Sequence, residues 1–97
     1  MADIEFAWST RKAAANKRKH RVSFEEAQTV FYDEEALLLD DPDHWEDEDR
    51  FLLLGLSSNL RVLVVVHSYT DDETIRIISA RKANARERLM YEKRRRQ

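Results

Sequence analysis

The 97-residue sequence contains no cysteine, one glycine and one proline. Without cysteine the chain can form neither a disulfide framework nor a zinc site with thiolate ligands. The single glycine, Gly55, also excludes the glycine-rich loops that cradle nucleotide phosphates, so nucleotide-dependent catalysis is not expected. Because only Pro42 and Gly55 interrupt the chain, and no linker-like stretch is present, we predict one domain over residues 1–97.

The sequence also lacks long apolar runs. The longest, residues 51–56 and 62–66, are far shorter than the roughly 20 residues that a membrane-spanning helix needs. The start of the chain, residues 1–5, has neither the basic nor the apolar region of a signal peptide. With no cysteine to indicate an oxidising compartment, we predict a soluble cytoplasmic protein without a membrane partner.

Charge is abundant and strongly segregated, although the formal net charge is only −2. Residues 9–21 carry six cations and no acid, residues 22–50 carry twelve acids and one cation, and residues 81–97 carry eight cations and two acids. Two basic segments around an acidic one predict a surface with two poles, one for phosphates and one for a basic partner. Solvated helix faces, and a solubilising loop over residues 33–49, are the alternatives that the composition leaves open.

The first third of the chain predicts a strand and two helices. Residues 4–8 form a short apolar-rich strand, and Ser9 can cap a following helix from Thr10 to about His20, which is rich in Ala, Lys and Arg. Residues 23–26, Ser-Phe-Glu-Glu, have the pattern of a capping box and predict a second helix to about Val30.

The second half predicts three strands and a final helix. Segments 50–56, 60–69 and 74–80 are rich in Val, Ile and Leu, and turns of three or four residues separate them. Such short connections require antiparallel neighbours. A basic helix from Arg81 to Arg96 closes the chain. We therefore predict an α+β fold in which a twisted antiparallel sheet of about four strands carries two N-terminal helices and one C-terminal helix.

Several motifs resemble those of the BrnT toxins. They are Phe6-Ala-Trp8, Ala14-Ala-Asn16, Lys19-His20, Val22-Ser-Phe-Glu-Glu-Ala27, Arg50-Phe51, Ile75-Arg-Ile-Ile-Ser-Ala-Arg-Lys-Ala83 and Glu87-Arg88. The resemblance implies a fold like that of the RelE ribonuclease toxins, RNA cleavage that arrests translation, and a hetero-oligomer with a BrnA-like antitoxin that also binds promoter DNA. One departure is Arg21, where the family often has Gly. It would cost about 1 kcal/mol if a left-handed helix stop is needed there.

Cleavage of RNA without a metal requires three kinds of group. A base accepts the proton of the 2′-hydroxyl, cations stabilise the charge on the phosphorus oxygens, and an acid protonates the leaving oxygen. DNA lacks that internal nucleophile, so selectivity for RNA would follow from the mechanism. For the cations we predict Arg81, Lys82 and Arg76, because the end of the last strand and the start of the last helix offer free N–H groups to phosphate. Cations at a helix start also oppose the helix dipole, so helix stability would not favour them there. The alternative is that they are ordinary solvated charges.

Proton transfer has three candidates, His20, His67 and Tyr91. Histidine titrates near neutral pH, and the cations before His20 favour its neutral, base-competent form. His20 can equally be a helix-end residue that contacts the last carbonyls, and His67, on a mostly apolar strand face, can be structural. Tyr91 is the candidate if the chain, like many RelE-like toxins, works without histidine.

The remaining site predictions concern binding. We expect RNA contacts from Arg50, Lys17, Lys19 and Arg88. For Arg50, an ion pair with the acidic loop is the alternative. His44 stands within the acidic stretch, but no second histidine is spaced to join it, so no metal and no cofactor are expected. Two other functions stay open: a nucleic-acid-binding module without catalysis, for which duplex DNA would compete as well as RNA, and a protein-interaction module that binds neither.

Overall fold

The computed structural model describes residues 4–41, 49–71 and 73–96. Within them the chain forms five strands and three helices. The number of helices is the one predicted from the sequence. In chain order these are β1 (Glu5–Ala7), α1 (Thr10–His20), α2 (Phe24–Thr29), β2 (Leu37–Asp40), β3 (Phe51–Leu56), β4 (Val62–Asp71), β5 (Thr74–Lys82) and α3 (Ala85–Arg95), with a 3₁₀ turn at Val30–Tyr32. Most of the predicted acidic loop, with His44, lies outside the described residues.

The two N-terminal helices begin where the sequence predicts. The Ser9 hydroxyl accepts the backbone N–H of Lys12 at 3.3 Å, and the Ser23 hydroxyl accepts that of Glu26 at 3.0 Å, so both serines cap a helix start. The residue that ends α1, Arg21, has the left-handed conformation, with φ 61° and ψ 31°. It stands where the resembled family often has glycine. No helix among the described residues is long and apolar enough to span a bilayer.

The sheet has the strand order β1-β5-β4-β3-β2. Its centre, β3 to β5, is the predicted antiparallel meander. The prediction of about four antiparallel strands was wrong at both edges. β2 is an additional strand antiparallel to β3, and β1 pairs with β5 in parallel. A parallel edge is possible because a long stretch of chain, rather than a hairpin, connects β1 to β5.

Apolar side chains cover both faces of the sheet, because successive residues of a strand point to opposite sides. On one face, α1 and α2 pack on Leu53, Leu63 and Val65. On the other face, Tyr91 of α3 packs on Leu54 and Val64. The second cluster is the smaller one, and α3 therefore covers only part of its face.

Asn16 holds α1 against the edge of β5. Its side-chain amide donates to the carbonyl oxygen of Ala80 at 2.9 Å, and its side-chain oxygen accepts the N–H of Ala80 at 3.1 Å. It also donates to the carbonyl oxygen of Val22 at 2.9 Å. The side chain thus takes the place of a neighbouring strand beyond the end of β1, which places the start of α1 beside the middle of β5.

The boundary between β5 and α3 differs from the prediction. The strand continues to Lys82, and the helix begins at Ala85 after an Asn84 cap. Glu87 completes a capping box, because its carboxylate accepts the N–H of Asn84 at 2.9 Å. Arg81 and Lys82 therefore belong to a strand and not to a helix start, and the argument from the dipole of the last helix does not apply to them.

Candidate functional site

Ile78 forms a β-bulge in β5. It is the extra residue of its strand, because its neighbours Ile77 and Ser79 pair with the consecutive residues His67 and Val66. A bulge bends the strand, increases its twist and changes the direction of the side chains around it.

A second irregularity lies nearby in β4. Thr70 is the extra residue here, because Tyr69 and Asp71 pair with the adjacent residues Ile75 and Thr74. Two irregularities close together on neighbouring strands bend the sheet sharply at one place, and bulges are common beside binding sites for that reason.

A cleft of about 460 Å³ opens at this bend. The cross-strand pair Ser68 and Arg76 lies between the two bulged residues, which also line the cleft. The lining residues are Lys12, Asp49, Arg50, Ser68, Tyr69, Thr70, Arg76 and Ile78. Residues far apart in the sequence therefore meet at one site.

Three cations from three different elements converge on the cleft. Arg76 comes from β5, Arg50 precedes β3, and Lys12 lies in the first turn of α1, which Asn16 holds beside β5. Lys12 and Arg76 are exposed and, within the described residues, neither side chain takes part in an ion pair. Such a set suits a phosphate group, because the cations supply charge and directed N–H donors to its oxygens.

Of the cations predicted for catalysis, only Arg76 lines the cleft, together with Arg50 from the predicted RNA contacts. Arg81 instead forms a two-fold ion pair with Glu87, with N–O distances of 2.8 and 2.9 Å. The hydrogen bond from Arg81 lowers the pKa of Glu87, and the same bond raises the pKa of Arg81. Lys82 is exposed and lies outside the cleft lining.

His67 is buried and cannot contact a substrate. Its side chain is 0% exposed, and the Phe31 ring packs edge-on against it with centroids 4.8 Å apart. Nδ1 lies 3.1 Å from the carbonyl oxygen of Val65, which can only accept, so Nδ1 carries the proton. Burial lowers the pKa of His67, so the ring is neutral at pH 7. This environment supports a structural role for His67, which was the alternative to proton transfer.

Tyr91 is also buried, at 1% exposure, away from the cleft lining. Its hydroxyl donates to Asp33 Oδ2 at 2.6 Å. Burial, followed by this hydrogen bond, raises the pKa of Tyr91, so the hydroxyl holds its proton and is a poor proton donor near neutral pH. Through these contacts, Tyr91 attaches α3 to the sheet.

The other predicted residues are not part of the cleft lining. His20 is half-buried at the end of α1, and Arg88 donates to the carbonyl oxygen of Ala83 at 2.9 Å in the first turn of α3. Lys19 lies seven residues after Lys12 and is exposed. Seven residues are about two helical turns, so Lys19 continues the flank of α1 that carries Lys12. Lys17 lines a different groove, described below.

Among the charged residues of the cleft lining, Lys12 and Asp49 were not predicted. The first turn of α1 contains Arg11 and Lys12 and no acidic residue. Cations in the first turn of a helix oppose the helix dipole. This placement, predicted for the last helix, occurs instead at the start of α1. No comparable signal marks Asp49, because it is one of many carboxylates in the acidic stretch.

Comparison with known proteins finds a matching family model and a similar solved structure. The family model described as "Ribonuclease toxin, BrnT, of type II toxin-antitoxin system" matches residues 8–87, which include every residue of the cleft lining. The chain is also similar to the crystal structure of the Brucella abortus ribonuclease toxin BrnT, with a TM-score of 0.67 and 20% sequence identity, over 84% of this chain and 97% of that one. At this identity the likeness shows the fold alone. No curated protein matches the chain significantly.

Proposed function

This chain belongs to the BrnT family of ribonuclease toxins of type II toxin–antitoxin systems, and we propose that it is a metal-independent endoribonuclease whose active site is the cleft at the bend of β4 and β5. The observation that carries the proposal is the convergence of Lys12, Arg50 and Arg76 on one cleft. RNA cleavage at this site would arrest translation in the cytoplasm.

The cleft supplies groups for each part of the reaction. The 2′-hydroxyl oxygen attacks the adjacent phosphorus, the bond from phosphorus to the 5′-oxygen breaks, and a cyclic phosphate forms. Arg50 and Arg76 stabilise the charge that develops on the phosphorus oxygens. Asp49, the one carboxylate among the described residues of the lining, accepts the proton of the 2′-hydroxyl, and the Lys12 ammonium donates one to the leaving oxygen.

RNA reaches the cleft along a basic path. Lys19 extends the flank of α1 that carries Lys12, and a strand whose phosphates follow this flank contacts both. Because phosphate contacts release counterions, binding should weaken steeply as salt is added. An antitoxin, which family membership implies, would form a hetero-oligomer with the chain. We propose that this partner is BrnA-like and that promoter DNA contacts the complex only through it.

The test is cleavage of a long RNA by purified, partner-free protein in EDTA, with DNA of the same sequence as the control. We expect the RNA alone to be cut. Lys12→Ala and Arg76→Ala should each lower the cleavage rate by about 100-fold or more, because each removes a preorganised cation from the transition state. Melting temperatures near that of the wild type should accompany the loss, since both side chains are exposed.

The matched control variant is Arg81→Ala/Lys82→Ala, which removes the cations that the sequence favoured and leaves the cleft intact. If this variant loses cleavage while Lys12→Ala and Arg76→Ala retain it, the reaction occurs near the start of α3 and not in the cleft. Intact RNA with the wild-type protein would favour a binding module without catalysis or a toxin that requires the ribosome. Growth arrest on induced expression distinguishes these two.

A further inference from the structure

Two residues of the described chain other than glycine have positive φ, and a hydrogen bond connects the segments that carry them. Arg21, at the end of α1, and Leu60, in the turn between β3 and β4, both have φ 61°. Arg61, which follows Leu60, donates from its guanidinium to the carbonyl oxygen of Arg21 at 3.1 Å. Both strained residues thus lie at one corner of the molecule.

Both positions are ones where glycine is the usual residue. Arg21 stands just after the last helical residue, and its N–H donates to the carbonyl oxygen of Lys17 at 3.0 Å. Leu60 closes the turn that begins at Ser57, with its N–H 2.9 Å from the Ser57 carbonyl oxygen, a geometry in which the last residue is left-handed. Glycine adopts this conformation without steric cost.

The two side chains contribute little to folding. Leu60 is 78% exposed, the most of any large hydrophobic residue that the structure describes, and Arg21 is exposed as well. A strained backbone that holds an exposed side chain is the kind of local conflict that occurs at functional sites. The conflict occurs twice at this corner, with an aliphatic and a cationic side chain.

A groove of about 640 Å³ lies beside Arg21. Among the described residues, Ala14, Lys17, Arg18 and Arg21 line it, so three of these four are cations and none is acidic. The charge of this groove is complementary to carboxylates or phosphates.

The aliphatic side chain at the corner favours a protein over a nucleic acid. Single-stranded nucleic acids bind where aromatic rings stack on their bases beside a basic groove, and the lining of this groove contains no ring. A protein segment combines carboxylates with an apolar anchor, and such an anchor can bury Leu60. The corner also lies at the start of β4, whereas the cleft is near its end. The nine residues from Val62 to Thr70 span about 26 Å along the strand.

We propose that this corner docks an acidic segment of the antitoxin, with carboxylates on Lys17, Arg18 and Arg21 and an aliphatic side chain on Leu60. The proposal rests on the proposed function only for the identity of the partner. It implies that part of the antitoxin holds the toxin at a surface separate from the cleft. Lys17 was predicted from the sequence to contact RNA, whereas here it contacts the antitoxin.

The experiment measures the affinity of a purified BrnA-like antitoxin, the proposed partner, for Leu60→Gly and Arg21→Gly. Each variant should bind the antitoxin about ten-fold or more weakly, and the affinity of the wild type should fall as salt is added. Each should nevertheless melt at the same or a higher temperature than the wild type, because glycine relieves the left-handed backbone. Weaker binding without loss of stability is an outcome that a merely structural role would not produce.

Two further variants guard against an altered turn. Leu60→Asn keeps a residue that tolerates the left-handed conformation and removes the apolar side chain, and Arg18→Ala removes a cation of the groove without touching either strained residue. Both should weaken the antitoxin complex. Arg76→Ala, in the cleft, should bind the antitoxin within about three-fold of the wild type.

Unchanged antitoxin affinity in all four corner variants would overturn the proposal, as would absence of binding by the wild type. Weaker binding of a non-cleavable RNA with 2′-O-methyl groups, with the antitoxin unaffected, would overturn it in favour of a nucleic-acid site. Failure of the proposed ribonuclease activity is recognised separately, because the wild type would then leave RNA intact while the corner variants still lose antitoxin affinity.

Discussion

A single side chain, that of Asn16, satisfies three buried backbone groups and determines where the first helix lies. Asn16→Ala leaves the N–H and C=O of Ala80 and the C=O of Val22 without this partner. We expect the free energy of unfolding to fall by about 3 kcal/mol, because each buried unsatisfied group costs roughly 1–3 kcal/mol and water replaces part of the loss. Urea denaturation measures the change.

The control for this variant is Lys19→Ala on the same helix, an exposed position that should change stability by less than about 0.5 kcal/mol. Asn16→Ala should also slow RNA cleavage, since Lys12 depends on the position of α1. Equal stability of Asn16→Ala and the wild type would show that the helix is held by its apolar contacts alone.

The single glycine is required for space rather than for its backbone angles. A Cβ at Gly55 would lie 2.9 Å from both Ala36 Cβ and Val30 Cγ1, and 3.1 Å from an oxygen of Asp33. Gly55→Ala should therefore destabilise the protein by about 1–3 kcal/mol, the usual cost of overpacking. Thermal denaturation measures this, and a second change, Ala36→Gly, should restore part of the loss. No recovery in the double variant would contradict the contact with Ala36.

At the scale of elements, local patterns predicted what depends on local chemistry. Ser9 and Ser23 mark two helix starts correctly because capping involves residues only three apart. The strand Leu37–Asp40 was missed because a run of leucines has no alternation, and the pairing with β3 makes it a strand. The end of β5 was misplaced because Arg81 and Lys82 are as compatible with a helix as with a strand.

The site was predicted less completely than the fold, because tertiary contacts assemble it. Arg76 and Arg50 were both predicted from the sequence, Arg76 as a catalytic cation and Arg50 as an RNA contact. Lys12 reaches the cleft only because Asn16 docks α1 on β5, a contact between residues 64 apart in the sequence. The burial of His67 and Tyr91 likewise depends on side chains from distant elements.

Helix α3 is the least firmly attached element, since its exposed residues include Leu89 at 62% and Met90 at 38%. The Tyr91 hydroxyl is one of its main attachments. Tyr91→Phe should lower stability by about 1–2 kcal/mol, because Asp33 loses a short hydrogen bond but keeps the N–H of Leu56. Hydrogen exchange should accelerate in α3 more than in β4.

The matched control is Tyr32→Phe, which removes a hydroxyl from a residue that is 63% exposed and should change neither quantity. Uniform acceleration of exchange over the whole sheet in Tyr91→Phe would contradict a local attachment. Faster exchange confined to α3 would show that this helix can leave the sheet without global unfolding.

At the scale of the whole molecule, the segregated charge is distributed over separate surfaces. The cleft receives cations from three elements, the corner groove receives them from the end of α1, and Glu87 neutralises Arg81 between β5 and α3. The two basic segments of the sequence therefore do not form one continuous phosphate-binding surface. The charge counts predicted two poles. The surface on which each cation lies depends on the fold.

Glu26 joins three parts of the molecule and makes its stability depend on pH. From α2 it accepts hydrogen bonds from Ser57 Oγ at 2.6 Å and from the guanidinium of Arg61, which also reaches the end of α1. The hydrogen bond from Arg61 is the main cause of a lowered pKa, below the ordinary value of 4.5. Glu26 therefore contributes stability that is fully present above about pH 5 and is lost as pH falls through the lowered folded-state pKa.

Glu26→Gln tests this contribution. The variant should unfold with about 2 kcal/mol less free energy at pH 7, because the charged partner of Arg61 is gone while packing is kept. Its stability should also decline less between pH 5 and pH 2 than that of the wild type, with part of the slope left because Asp33 and Glu87 also have lowered pKa values. Glu25→Gln, at the exposed neighbouring position, is the control and should follow the wild-type curve. Parallel acid curves for Glu26→Gln and the wild type would mean that other carboxylates cause the acid sensitivity, and that the link between α1, α2 and the β3–β4 turn does not depend on the charge of Glu26.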